Sequence, residues 1–421
     1  MSFPVEAVRK LFPALSLHDN GKRRIYLDNP AGTQVPVMVG DAIRDAILHT
    51  NANLGGDFTT TRQASAIHHA AHQAMADMLG AASHEEIVIG LNMTSLTYQF
   101  SRMLARDWKP GDEIVLSQMD HEGNVGPWMQ AAEDRGVTIR WLPFSQESWQ
   151  LEPDALRALV NENTRLVAIG HASNLTGSIN RVKELTAVAQ DAGALVYVDS
   201  VQFAPHGYID VQEIGCDFLA CSAYKFFGPH LGIVYGRKSV LETLRPYKLR
   251  CSSNELPGRF ETGTPSIELL AGLSATVDYL ARVGELAGSN GSRREKIKAG
   301  FAASTAHENP LGLQLINALK TIRGVTIKGI TDPARMQHRV PTVSFTVDGI
   351  APSSLVRLLN DEGIFCWAGH NYAWGVIHQL GIPADQGVVR IGIANYNTAR
   401  EIDETIESIQ RNLAMLKQQR A

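Results

Sequence analysis

Between residues 86 and 235, short apolar runs recur with helix-patterned stretches between them. The runs are Ile87–Ile89, Ile114–Leu116, Val137–Leu142, Leu166–Ile169, Leu195–Val198, Phe218–Cys221 and Ile233–Tyr235. Most are continuous and β-branched, as strands buried on both faces would be. Helical spacing fills 94–107, 123–135, 154–160 and 181–192. This alternation predicts an α/β domain around a mainly parallel, seven-stranded sheet, whose ligands sit at the carboxyl ends of the strands.

Upstream, residues 1–20 read as a short amphipathic helix, 25–28 as a strand-like entry, and 36–49 and 63–80 as helices, the last ended by Gly80. After about residue 265 the rhythm changes. Helices are expected at 267–283 and 293–319, strands at 324–328 and 341–347, a helix at 352–361, strand pieces at 364–366 and 389–393, and a final helix at 398–418. That is the pattern of a smaller α+β domain. The expected division is a large domain over 25–265 and a small one built from 1–24 and 266–421.

Composition narrows the picture. The 421 residues are 44% hydrophobic and 19% charged, enough for a sizeable core. Net charge is −4 with no basic block, which argues against a nucleic-acid partner. No apolar run approaches the roughly 20 residues of a membrane span, and the N-terminus lacks a signal-peptide core. Cys216, Cys221, Cys251 and Cys366 form no CxxC and point to a reducing compartment. A cytoplasmic protein is expected.

The stretch Ser222-Ala223-Tyr224-Lys225-Phe226-Phe227-Gly228-Pro229 sets a lysine among aromatics at a strand end. An apolar setting lowers the pKa of an amine, and a neutral amine can form an imine with an aldehyde. A strand-end lysine snorkelling to water is the bland alternative. Asp199 ends the run Leu-Val-Tyr-Val, where a carboxylate could pair with the pyridinium nitrogen of pyridoxal phosphate. Gln202 could then bond the ring hydroxyl. Met93 and Thr94 open a helix after a strand, where unpaired N–H groups suit a phosphate, or an ordinary cap. His121 follows the next strand and could lie flat on a cofactor ring. Asn174 could donate to a phenolate oxygen or make an Asx turn. Thr264, in a glycine-bearing loop, could reach a phosphate. Arg390 is a charge inside an apolar strand and needs an anion, either a substrate carboxylate or a structural partner. His68 and His72 share a helix face, but no third ligand is evident, so no metal is expected.

These pieces come in the order and spacing of a known group. The chain resembles class V aminotransferases, and within them cysteine desulfurase-like enzymes, from about residue 25 to the last helix. The likeness is carried by SQMDHEGNVGPW, HASNLTG, VYVDSVQ, CSAYKFFGP, RFETGTP and VRIGIANYNT. The resemblance implies a fold-type I homodimer with pyridoxal 5'-phosphate at shared sites. Lys225 would be the aldimine lysine. Asp199 would bind the ring nitrogen, Gln202 the ring oxygen, and His121 would stack on the ring. Thr94, Ser222 and the neighbouring subunit's Thr264 would hold the phosphate, and Arg390 the carboxylate of an amino acid substrate.

Two departures stand out. Tyr224 replaces the histidine usual before the lysine in desulfurases, though a phenol can still donate to phosphate. In the loop Trp367-Ala368-Gly369-His370-Asn371-Tyr372-Ala373-Trp374, Tyr372 aligns with the cysteine that attacks substrate sulfur. Cys366, six residues earlier, is either a surrogate nucleophile or a small buried hydrophobe. The chain looks closest to desulfurase-like proteins lacking that cysteine, and Asn371 and Tyr372 suggest a different substrate pocket. The expected function is an aminotransferase class V-like enzyme working through an external aldimine and α-carbanion. The alternatives are a desulfurase or carbon–sulfur lyase-type activity, and a cofactor-binding protein without turnover.

Overall fold

In the computed structural model, which describes residues 3–419, all seven apolar runs form strands. They are β1 (Ile87–Gly90), β2 (Glu113–Ser117), β3 (Thr138–Leu142), β4 (Thr164–Gly170), β5 (Leu195–Asp199), β6 (Phe218–Ser222) and β7 (Gly232–Gly236). They make one sheet in the order β1-β7-β6-β5-β4-β2-β3. The ladder from β6 to β3 is parallel, while β7 runs antiparallel to both β6 and β1. Two reversals leave β1 pointing the same way as β6. The carboxyl ends of every strand but β7 therefore meet along one edge.

Strand alternation sends neighbouring residues to opposite faces. In β4, Leu166 and Ala168 join one apolar cluster while Val167 and Ile169 join another. In β5, Tyr197 parts in the same way from Val196 and Val198. Helices Met93–Leu104 and Gly126–Arg135 cover the first face. Helices Thr59–Leu79, Val182–Asp191 and Ile267–Leu286 cover the second. The expectation of two-sided burial fails at β3, where Thr138, Arg140 and Trp141 are exposed. That strand pairs only with β2, and charge on an edge strand discourages further pairing.

The helix Met93–Leu104 starts very close to the sheet. A Cβ on Gly232 would lie 2.2 Å from the carbonyl carbon of Asn92 and 2.3 Å from the nitrogen of Met93. Only glycine lets the helix begin there. Asn92 caps it, its side-chain oxygen accepting from the Ser95 N–H at 2.8 Å.

The later residues build an antiparallel sheet of β8 (Val325–Lys328), β9 (Thr342–Val347), β10 (Trp367–Gly369) and β11 (Val388–Gly392), ordered β8-β9-β11-β10. Helices Arg293–Lys320, Pro352–Asp361 and Ala399–Gln418 share a third apolar cluster with it. The early strand Ile25–Tyr26 does not join the large sheet. It pairs in parallel with Ile364–Phe365. The helix expected over 1–20 is shorter, Val5–Arg9, and a 3-10 turn at Pro13–Ser16 follows, since proline interrupts the α-helical pattern; residues 1 and 2 lie outside the described residues. The strand β10 and the short helix Trp374–Gln379 were not apparent in the aromatic- and glycine-rich sequence. Among the described residues, no helix is long and apolar enough to cross a membrane.

Candidate active site

Five strand ends converge on one cavity of about 270 Å3. Met93 and Thr94 follow β1, and Asp120 and His121 follow β2. Asn174 follows β4, Asp199 ends β5 with Gln202 just beyond, and Ser222, Tyr224 and Lys225 leave β6. The sheet direction is what gathers them, as residues at the same end of parallel strands are neighbours.

Lys225 does not snorkel to water; only 8% of it is exposed. Burial disfavours its ammonium form, the Arg390 charge adds to this, and Asp199 opposes both, leaving its pKa below the ordinary lysine value. Burial raises the pKa of Asp199, while the Val201 N–H, donating to its Oδ1 at 2.9 Å, and the Lys225 charge pull it back. Asp120 is pushed up to about 7, mainly by burial and then by the Asp199 charge. Its oxygens accept from the Gly170 N–H at 2.8 Å and from Asn124 Nδ2 at 2.6 Å.

His121 is held down to about 3 by burial, then by the Lys225 and Arg390 charges, so its imidazole is neutral. Its Nδ1 accepts from the Gly123 N–H at 2.9 Å, which assigns the ring proton to Nε2. Burial raises the Tyr224 pKa and keeps that phenol a donor.

A second cavity of about 330 Å3 shares His121, Asn174, Tyr224 and Lys225 with the first. Its outer wall is the 367–372 segment, and Arg390 lines it from β11. Arg390 Nη1 donates to the Asn174 carbonyl at 3.1 Å. Asn371 and Tyr372 both hold positive φ, 51° and 59°, and both line this cavity. The Tyr372 carbonyl accepts from the Glu122 N–H at 2.8 Å, and its ring stacks with His121 at a centroid distance of 5.3 Å.

The fold thus brings together Met93, Thr94, His121, Asn174, Asp199, Gln202, Ser222, Tyr224 and Lys225, with Arg390, Asn371 and Tyr372 in the adjoining space. Thr264 is elsewhere. It is exposed on the wall of a separate cavity beside Leu91 and Ser95. Cys366 lines neither of the two joined cavities, and burial pushes its thiol up to about 12. That is the small buried hydrophobe rather than a nucleophile.

Sequence reasoning missed Asp120 and Asp28. Asp120 stands directly before His121 at a strand end, which was the available signal. Asp28 follows the strand-like Ile25-Tyr26-Leu27, is half-buried and feels the Arg390 charge. His68 and His72, left without a third partner by sequence spacing, both meet Glu261, which comes from far along the chain.

Comparison with known proteins places this geometry. The aminotransferase class-V family model matches residues 25–405. The chain is 35% identical to the aminotransferase-like protein FGM3 of Gibberella zeae, over 97% of this chain and 98% of that one. It is 32% identical to a probable cysteine desulfurase of Halalkalibacterium halodurans, over 96% and 97% of the two chains. Among solved structures, the apo cysteine desulfurase of Thermococcus onnurineus NA1 superposes with a TM-score of 0.85 at 28% identity, covering 98% of each chain. The chain belongs to the class-V aminotransferase family.

Proposed function

We propose that the protein is a pyridoxal-phosphate-dependent enzyme that acts on an α-amino acid with the chemistry of a class-V aminotransferase. The observation that carries this reading is Lys225, buried with a lowered pKa in the same cavity as Asp199, with Arg390 in the space that opens from it.

The residues fit the cofactor. Gln202 Oε1 and Asn174 Oδ1 are buried in the wall with no hydrogen-bond partner among the described residues, and a buried orphan asks for a polar guest. Thr94, Ser222 and Tyr224 offer hydroxyls near a helix N-terminus, a donor set for a phosphate. Asp199 would hold the ring nitrogen, Gln202 the ring oxygen, and the neutral His121 would lie on the ring face. When bound, pyridoxal phosphate supplies an aldehyde that captures amines and a ring that accepts an electron pair from the α-carbon.

The chain supplies the rest. Arg390 binds the substrate carboxylate as a planar, always-charged fork. Lys225 Nζ, with its lowered pKa, takes the α-proton as general base. The 367–372 wall, with Arg390, bounds the space in which the substrate would sit.

We propose a homodimer as well. Thr264 stands away from Lys225, and Leu48, Phe58 and Leu91 expose apolar surface. A second copy would cover that surface and lend Thr264 to its neighbour's phosphate.

The cysteine desulfurase relatives support a second reading, cleavage of a β carbon–sulfur bond. Elimination of that kind needs no protein thiol, and none lines the two joined cavities.

The test is reconstitution with pyridoxal phosphate, reduction with borohydride and peptide mapping, with the label expected on Lys225. Amino acids are then screened for spectral change, and keto acid, ammonia and sulfide are assayed. Label at other lysines only would overturn the reading. Sulfide from cysteine would favour the second one.

A further inference from the structure

We infer that His68, His72 and Glu261 form a site for a divalent transition-metal ion of the zinc class. None of the three lines the Lys225 cavity, so the inference stands apart from the proposed function.

His68 and His72 sit one turn apart on the helix Thr59–Leu79, the spacing that points two imidazoles at one ion. Their ring centroids are 4.3 Å apart. Each presents Nε2 to a different oxygen of Glu261, His68 at 3.1 Å and His72 at 2.7 Å, and the ligand atoms all lie within 4.8 Å of one another. Three ligands around a tetrahedral zinc, at bonds of about 2.0–2.2 Å, stand roughly 3.3 Å from each other. Small side-chain adjustments reach that geometry.

The outer contacts are those a metal ligand needs. His72 Nδ1 is 2.8 Å from the His68 carbonyl, so Nδ1 carries a proton and Nε2 is left to bind. Glu261 Oε1 accepts from the Ile89 N–H at 2.8 Å, which fixes the carboxylate. The His72 side chain is 1% exposed and that of His68 22%, so the site has a buried floor and one open side for entry and a water ligand. Two imidazoles with one carboxylate suit zinc and its late first-row neighbours better than calcium or magnesium, which prefer oxygen. Glu261 directly precedes Thr262, Gly263 and Thr264 on the wall of the separate cavity. A bound ion would clamp that loop to the helix and to β1.

The full chain, stripped with a chelator, is titrated with zinc against a chromogenic competitor and with cobalt by visible absorption. One equivalent per chain is expected, with a cobalt spectrum of nitrogen and oxygen ligands. His68→Ala, at the partly exposed ligand, should weaken affinity at least about 100-fold, more than losing an outer partner costs. Zinc should raise the Tm of the wild-type chain but not of His68→Ala, because a ligand stabilises the state that binds it. Cys251→Ser should bind as wild type. Failure of the wild-type chain to bind a stoichiometric ion overturns the inference, as does binding that survives His68→Ala or is lost in Cys251→Ser. Should His68→Ala fold poorly, His68→Gln and the cobalt spectrum of the wild-type chain decide on the same criteria.

Discussion

Asn174 Nδ2 donates to the main-chain carbonyl of Asn371 at 2.7 Å, tying the loop after β10 to the segment after β4. The anchor holds two consecutive residues in the left-handed region, where a non-glycine residue costs about 1–3 kcal/mol. Asn174→Ala removes the bond and leaves a carbonyl unpaired. Amide hydrogen exchange over residues 371–374 should speed up roughly fivefold, the factor that about 1 kcal/mol represents. Unchanged exchange there would mean the loop is held by other contacts.

Arg390, proposed above to bind the substrate carboxylate, also acts on Lys225 through its charge. Its positive charge lowers the lysine pKa and Asp199 raises it. Arg390→Gln should therefore shift the pH profile of Lys225 labelling by an amine reagent upward, and Asp199→Asn should shift it downward. For the amino acid, Arg390→Gln should raise KM roughly 10- to 150-fold, the value of a hydrogen bond to a charged group. Profiles that move in the opposite directions would refute this electrostatic account.

Asp120 gives stability a pH signature. Its folded pKa of about 7 exceeds the unfolded value near 3.8. Between those pH values the folded chain holds a proton that the unfolded chain has released, so stability falls as pH rises, by at most about 1.4 kcal/mol per pH unit. Asp120→Asn removes that dependence. The stability of the wild-type chain relative to Asp120→Asn should decline from pH 4 to pH 7, read by denaturant unfolding. A flat difference would place the proton elsewhere.

The thiols differ sharply in access. Cys251 is exposed while Cys216, Cys221 and Cys366 are buried. A thiol reagent should titrate one group in the native protein and all four after denaturation. Cys366→Ala should keep its activity and lose stability, by up to about 1–2 kcal/mol for a small buried side chain. Loss of turnover with an intact cofactor spectrum would instead give Cys366 a chemical role.

The large sheet was legible because its strands are buried on both faces and so read as unbroken apolar runs. Strand β3 looked alike from its Val137–Leu142 run, yet it lies at an edge, and sheet position is not written in local pattern. Lys225, Asp199 and His121 were legible because each follows a strand, and strand ends share one edge. Asp120 was hidden by its neighbour His121. The pairing of Ile25–Tyr26 with Ile364–Phe365 and the meeting of His72 with Glu261 were beyond reach, since both join segments far apart in the chain. The 367–374 stretch was read as a loop because its aromatics and glycines mask a strand and a helix.

The two joined cavities share four residues, and the rest of their walls come from different stretches of the gene. The residues that line the first cavity fall between Asn92 and Lys225, whereas the outer wall of the second is encoded from Trp367 onward. Mutations in the later stretch can retune which molecule is accepted while the earlier one stays untouched. A lineage carrying this architecture can thus diversify its diet without reinventing its catalyst.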